Sequence, residues 1–166
     1  MKPPTNTTAT RIVSAVGATA LLGVALWHAV WVVTPWPLAS RAEFAEVIVG
    51  VPEADAPGPA LTAAMVVLLC FAAWLVAARG GWLATLGPAW VWRLGPWVIG
   101  AVLMLRGVGG FVVSYFRLVE QPDRYVQGDL KLYSPICVGI ALTSLFTAFS
   151  AARDEAVGTG PTPRPS

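Results

Sequence analysis

Two residues inside otherwise apolar stretches of this sequence could carry chemistry, namely His28 and Arg106. His28 is the single histidine, and an imidazole can act as a general acid or base near neutral pH. Arg106 carries a permanent positive charge, which suits it to bind a polar or anionic group or to stabilise developing negative charge. Tyr133 and Asp129 come just before the last apolar stretch, and we group them with His28 and Arg106 as a candidate polar cluster.

Arg106 needs a partner, because an arginine near the centre of a membrane helix costs ~2.5–3.5 kcal/mol on insertion scales. The apolar stretches contain no acid, so the carboxylate must come from a flanking segment, and the candidates are Glu43, Glu46, Glu120 and Asp129. Two roles stay open for the arginine. It either holds the helices together through such a carboxylate or backbone carbonyls, or it binds a ligand.

Other familiar chemistries have no support in the sequence. One histidine cannot build a tetrahedral zinc site or a bis-histidine haem site within one chain, so we expect no metal and no cofactor. Phosphate-binding loops, nucleophile elbows and HExxH pairs are missing. Cys70 and Cys137 lie outside any CxxC pair and at different depths, which predicts buried structural thiols without a disulfide. The net charge of +2 and the scattered basic residues argue against nucleic-acid binding.

The elements that position these residues are four long apolar blocks. With 56% hydrophobic and 12% charged residues, the composition is that of a membrane protein. At ~1.5 Å per residue, such blocks can cross a ~30 Å hydrocarbon core. We therefore predict an all-α polytopic membrane protein, a four-transmembrane-helix bundle over residues 12–150. The predicted spans are about 12–33, 60–78, 94–116 and 134–149.

The first block has a competing interpretation as a secretory signal peptide, because basic residues precede it and small residues follow it. A signal h-region is only about 7–15 residues long, so the length of this block favours a retained helix. The fourth block begins at Ser134-Pro135, where serine can cap a helix and proline can take its first position.

The connecting segments predict one more helix and an orientation. Ser40 and Glu43 have the spacing of a capping box, which predicts a short interfacial helix in the first outer loop. Basic residues are modestly more numerous on the side of the membrane that holds both termini. The positive-inside rule therefore predicts a plasma-membrane protein with both termini in the cytoplasm. Residues 1–11 are then a cytoplasmic N-terminal segment, and residues 151–166 are predicted to be a disordered cytoplasmic tail.

In this arrangement His28 and Arg106 lie in the outer half of the bundle. His28 is ~8 Å below the outer boundary and Arg106 ~10–15 Å below it. Their similar depth predicts a shared polar pocket with Tyr133 and Asp129. The glycines that follow Arg106 predict close approach of another helix or a ligand to the backbone, with helix packing favoured.

Three sequence stretches resemble a known family. They are Trp27-His28 to Trp31 in the first span, Arg106-Gly107-Val108-Gly109-Gly110-Phe111 in the third, and Asp129-Leu130-Lys131-Leu132-Tyr133-Ser134-Pro135-Ile136-Cys137 entering the fourth. Together they resemble the small bacterial membrane proteins grouped as domain of unknown function 3995, over residues 12–150. The resemblance implies a four-helix inner-membrane domain and assigns no activity to any residue.

Three functions remain open from the sequence. The first is a non-enzymatic accessory or small-ligand-binding bundle, in which His28, Arg106, Tyr133 and Asp129 organise the fold or receive a lipid-like ligand. The second is a small intramembrane enzyme acting on a lipid, isoprenoid or quinone-like substrate, with His28 as acid or base and Arg106 as charge stabiliser. The third, a transporter or channel, requires oligomerisation. The partners expected are the bilayer and a membrane partner subunit or ligand, and the sequence leaves the oligomeric state undetermined.

Overall fold

The computed structural model describes residues 6–158, with side chains through residue 156, and this part of the chain is helical without strands. Residues 1–5 of the predicted N-terminal segment and residues 159–166 of the predicted tail lie outside the described residues. Four long helices form the bundle, and they are α1 (Thr8–Val33), α3 (Pro59–Arg79), α4 (Ala89–Phe116) and α6 (Ser134–Gly158). Two short helices, α2 (Arg41–Phe44) and α5 (Asp123–Gly128), lie in the connections between them.

The long helices confirm the predicted fold class. All four are long and apolar enough to cross a membrane, the last of them counted together with α5 as Asp123–Ala156. Large apolar side chains cover the outside of the bundle, for example Leu26 at 69% and Leu105 at 76% exposure. An apolar exterior of this extent would be unfavourable in water and is expected where lipid surrounds the helices.

The helices run alternately up and down, and each packs against its neighbours in the order α1, α3, α4, α6 and back to α1. Helices α4 and α6 approach each other closely. Gly100, Gly107 and Ser114 recur every seventh residue along α4 and are buried. A Cβ at Gly107 would lie 3.0 Å from both the carbonyl oxygen of Ser134 and the amide nitrogen of Val138, so glycine lets the two backbones meet.

The bundle has two ends that are used below. The loop end holds the 34–58 and 117–133 connections, and the terminal end holds the start of α1 and the last turns of α6. At the loop end, the predicted short helix is confirmed as α2. The Oγ of Ser40 accepts the N–H of Glu43 at 3.1 Å, and the Glu43 carboxylate reaches back to the N–H of Ala39 at 2.9 Å.

The prediction that Ser134 caps the fourth span is wrong, because the chain is already helical before it. From α5 the backbone continues through a π-helical turn, Asp129–Tyr133, directly into α6, and Ser134 has helical angles of φ −64° and ψ −45°. A π turn is the adjustment that allows Pro135, which lacks an N–H, to follow inside a continuous helix. The helix also extends to Gly158, past residue 151 where the predicted disordered tail was to begin.

The two cysteines are free, and Cys70 lies on the exposed surface of α3. The expectation that both thiols are buried is therefore wrong for Cys70. Much of the surface of α3 faces outward, and in a membrane protein an outward-facing position is surrounded by lipid. An apolar side chain such as that of Cys70 is therefore accepted there without being buried in the bundle.

Candidate functional site

The centre of the candidate site is an ion pair between Arg106 on α4 and Asp129 at the start of the π turn. Arg106 Nη2 lies 3.0 Å from Asp129 Oδ1, and the Oγ of Ser114 donates to Asp129 Oδ2 at 2.7 Å. The Asp129 side chain is 1% exposed, whereas the Arg106 side chain is 42% exposed. Of the four acids that the sequence offered as partners of Arg106, Asp129 is the one in contact with it.

The geometry of α4 explains how the arginine reaches this acid. Arg106, Gly110 and Ser114 are spaced four residues apart, so they follow one another along one face of the helix. The guanidinium therefore lies over Gly110, one turn closer to the loop end. A Cβ at Gly110 would lie 2.1 Å from Arg106 Nη1, 2.7 Å from Ser134 Oγ and 3.0 Å from Asp129 Oδ2. Three polar groups thus converge on the bare backbone of one glycine.

Two tyrosines lie on the loop side of the site, and one of them contacts Arg106. The hydroxyl of Tyr125 accepts a hydrogen bond from Arg106 Nη2 at 3.3 Å. Its ring lies on Gly50, which has a φ of +79° and no room for a Cβ, since one would fall 2.8 Å from the ring. Tyr133, the tyrosine singled out from the sequence, instead directs its hydroxyl toward the carbonyl oxygen of Val47 at 3.4 Å.

Ser134 is the polar residue of the site without a protein partner. The residue is 1% exposed, and its Oγ is buried and makes no hydrogen bond within the part of the chain that the structure describes. Ser134 also lines an apolar groove of about 450 Å³ between α4 and α6. The other groove residues are Gly107, Val108, Phe111, Pro135, Val138, Gly139 and Leu142.

His28 lies outside this cluster. Its Nδ1 is 2.8 Å from the carbonyl oxygen of Val24, one turn earlier on α1, and its ring is edge-on to Trp31 with centroids 5.2 Å apart. Among residues 6–158 no hydrogen bond joins His28 to Arg106, and α1 is not packed beside α4. The structure brings Arg106 and Asp129 together and leaves the histidine in an aromatic group on α1.

Glu43 and Glu46 are also apart from Arg106. Glu43 Oε1 accepts from Arg124 Nη1 at 2.8 Å. The N–H of Ala39 and the Arg124 guanidinium both stabilise the carboxylate, so the pKa of Glu43 lies below its ordinary value of 4.5. Glu46 instead lines an open cleft of about 570 Å³ with two further acids, Glu53 and Glu120.

A second polar cluster, which the sequence did not reveal, lies at the terminal end. Arg79 is 7% exposed and is paired with Glu155 near the end of α6. Asn6 donates to the carbonyl oxygen of Arg79 at 2.8 Å, and Asp154 accepts the N–H of Thr7 at 3.2 Å. These contacts tie the start of α1 and the end of α3 to the last turns of α6.

The sequence pattern also missed Ser114 and Tyr125, although a signal existed for each. Ser114 is two turns after Arg106 on the same helix face, and Tyr125 is one turn before Asp129. Within residues 6–158 the structure contains no cluster of three or more histidine, cysteine, aspartate or glutamate side chains placed to hold a metal ion. The site can therefore offer arginine, hydroxyl and carboxylate groups beside an apolar surface.

Comparison with known proteins identifies the family and leaves the activity open. No curated protein matches the chain. No solved structure matches it either. One family model, described as "Protein of unknown function (DUF3995)", matches residues 21–144, which is more than half of the 166 residues and includes His28, Arg106 and Asp129. The chain therefore belongs to the DUF3995 family.

Proposed function

We propose that this membrane protein is a non-enzymatic bundle that binds a small, lipid-like ligand at the cluster formed by Arg106, Asp129 and Ser134. The observation that carries the proposal is the hydroxyl of Ser134. A buried polar group without a partner costs roughly 1–3 kcal/mol, and Ser134 lines the groove, so we expect a ligand seated there to bond this hydroxyl once the side chains that cover it shift.

The arginine supports the same site. Asp129 and Tyr125 both contact Nη2, and Nη1 has no acceptor among the described residues. The side chain is 42% exposed, so donors remain available from outside the bundle. A ligand that accepts hydrogen bonds could use them without breaking the ion pair.

The experiment is native mass spectrometry of the protein released from host membranes in a mild detergent. We expect wild-type ions to carry a small-molecule adduct, and Ser134→Ala to retain it roughly 2- to 10-fold less, which is the range for one lost hydrogen bond. Ser144→Ala is the matched control, because Ser144 is equally buried on α6 but donates to the carbonyl oxygen of Ile140. An adduct equally retained in Ser134→Ala, or absent from the wild type, would contradict the proposal.

The enzyme alternative draws no support from the contacts of His28. That hypothesis requires the imidazole and Arg106 to act on one substrate, whereas the imidazole is bonded to its own helix. We propose a structural role for His28 in the aromatic group with Trp31, which itself donates to the carbonyl oxygen of Trp36 at 3.1 Å.

We further propose that the protein resides in the plasma membrane with both termini in the cytoplasm, as the distribution of basic residues favours. Ala54 at the loop end and Thr85 at the terminal end are both exposed. In a cysteine-free background, a membrane-impermeant maleimide added to intact cells is expected to label Ala54→Cys and to label Thr85→Cys only after lysis. The reverse labelling would refute this orientation.

A further inference from the structure

The groove between α4 and α6 is elongated and opens to the outside of the bundle. It follows α6 from Ser134 to Leu142, a distance of ~12 Å at helical rise. Three of its lining side chains are strongly exposed, with Val108 at 48%, Phe111 at 46% and Leu142 at 56%. In a membrane these residues face lipid, so the groove is open to a hydrocarbon chain that runs parallel to the helices.

The end of the groove at Ser134 adjoins Arg106, whose guanidinium lies over Gly110 beside the groove and near the boundary of the hydrocarbon core. Helix α4 has 28 residues and is ~42 Å long, so it exceeds a ~30 Å core by ~6 Å at each end when centred. The guanidinium of Arg106 lies at the level of Gly110, which is ~9 Å before the end of α4 at Phe116. It therefore lies ~3 Å inside the boundary, next to the depth at which lipid ester groups are found.

The charge of the site favours a neutral ligand group. Asp129 already neutralises Arg106, and the open cleft at the same end of the bundle carries Glu46, Glu53 and Glu120. An anionic group would compete with Asp129 and be repelled by these acids. A neutral carbonyl oxygen has two lone pairs and can accept from Arg106 and from the Ser134 hydroxyl together.

We propose that this groove binds one acyl chain of a bilayer glycerolipid, whose ester carbonyl oxygen accepts hydrogen bonds from Arg106 and Ser134. The inference rests on the proposed function, since it names the ligand class of that site. No covalent step is involved.

The test uses the full chain in nanodiscs that contain a trace of phosphatidylcholine with a photoactivatable diazirine in one acyl chain. After irradiation, peptide mass spectrometry locates the label. We expect the label on α6 between Ser134 and Leu142. An ether-linked analogue, which lacks the carbonyl oxygen, is expected to label this segment roughly 2- to 10-fold less.

Two glycine variants provide the matched control. Gly139 lines the groove and Gly23 lies on α1, and a Cβ at either position meets no atom within 4 Å. Both leucine variants should therefore fold. Gly139→Leu should fill the groove and remove the label from α6, whereas Gly23→Leu should leave it unchanged.

Four results would overturn the inference. Equal labelling by the ester and ether probes would exclude the carbonyl contact, and unchanged labelling in Gly139→Leu would exclude the groove. A third probe, phosphatidylglycerol with the same diazirine-bearing acyl chain, tests the charge argument, and stronger labelling by it than by the phosphatidylcholine probe would exclude the preference for a neutral group. Displacement of the label by a short-chain ubiquinone at a lower mole fraction than by unlabelled lipid would assign the groove to a quinone. The proposed function is tested separately, and it fails if the wild type carries no adduct or if Ser134→Ala retains the adduct equally.

Discussion

The ion pair between Arg106 and Asp129 should couple the two residues strongly, and a double-mutant cycle measures the coupling. The variants are Arg106→Gln, Asp129→Asn and the double variant. Breaking a fully buried ion pair costs about 3–5 kcal/mol, and an exposed pair contributes about 0–1 kcal/mol. This pair has one buried and one 42% exposed partner, so we expect a coupling free energy of about 1–3 kcal/mol.

The two single variants should not be equivalent, because they leave different charges behind. Arg106→Gln leaves the carboxylate of Asp129 fully buried, with the hydroxyl of Ser114 as its remaining strong donor. Asp129→Asn leaves a half-exposed guanidinium on a long side chain that can turn toward the polar boundary at the loop end. We expect Arg106→Gln to lower the free energy of unfolding more than Asp129→Asn does.

The assay is reversible unfolding in mixed micelles with increasing dodecyl sulfate, followed by the fluorescence of the eight tryptophans. The control cycle uses Arg117 and Asp123, which form a shorter pair of 2.7 Å but are 59% and 79% exposed. Its coupling should stay below ~1 kcal/mol. Additive effects at Arg106 and Asp129, or a larger loss in Asp129→Asn than in Arg106→Gln, would refute the reasoning.

Three further predictions concern helix contact, acid sensitivity and the terminal end. Gly107→Ala should cost about 1–3 kcal/mol in thermal unfolding because its Cβ would meet backbone atoms of α6 at 3.0 Å, whereas Gly109→Ala, with open space, should be neutral or stabilising by up to about 1 kcal/mol. Because the pKa of Glu43 is lowered in the folded state, the contribution of its carboxylate to stability is present above pH 4.5 and is lost as the pH falls through the lowered pKa. Amide hydrogen exchange in the 34–58 connection should therefore accelerate over this pH range in the wild type and should show no such change in Glu43→Gln. Glu155→Gln should lower stability by about 1–3 kcal/mol, measured in the same micelle assay, by weakening the contact to buried Arg79, and an unchanged midpoint would contradict this.

The fold could be predicted from the sequence because its determinants are local. Four apolar blocks separated by proline and glycine specify four membrane helices, and the spacing of Ser40 and Glu43 specified the short helix α2. The predicted helix boundaries were less accurate near prolines, which were expected to lie at helix starts. Helix α4 begins at Ala89 and contains Pro96, and Pro135 lies inside a continuous helix after a π turn. Pro96 is buried in the bundle, and packing of this kind can override the local preference of proline to end a helix.

The candidate site could be predicted only in part, because sequence gives depth in the membrane but not the arrangement of helices around the bundle. Arg106 and an acid from the flanking segments were expected to pair, and Asp129 is that acid. His28 has a similar depth, yet α1 and α4 occupy opposite corners of the bundle. Equal depth brings two residues together only when their helices are neighbours and their side chains turn toward each other.

The ion pairs of Arg79 and Arg106 illustrate the same limit of sequence-based prediction. Arg79 resembled a cation that ends a span before two glycines, and nothing nearby in the sequence announced its partner in the last turns of α6. Arg106 was conspicuous because it lay inside an apolar block. Each ion pair joins α6, or the turn leading into it, to a different helix at a different end of the bundle. Because surrounding lipid removes most of the hydrophobic drive for helix association, such ion pairs and close glycine contacts fix the position of α6. The pair of Arg106 and Asp129 therefore holds α6 against α4 beside the groove that Ser134 lines.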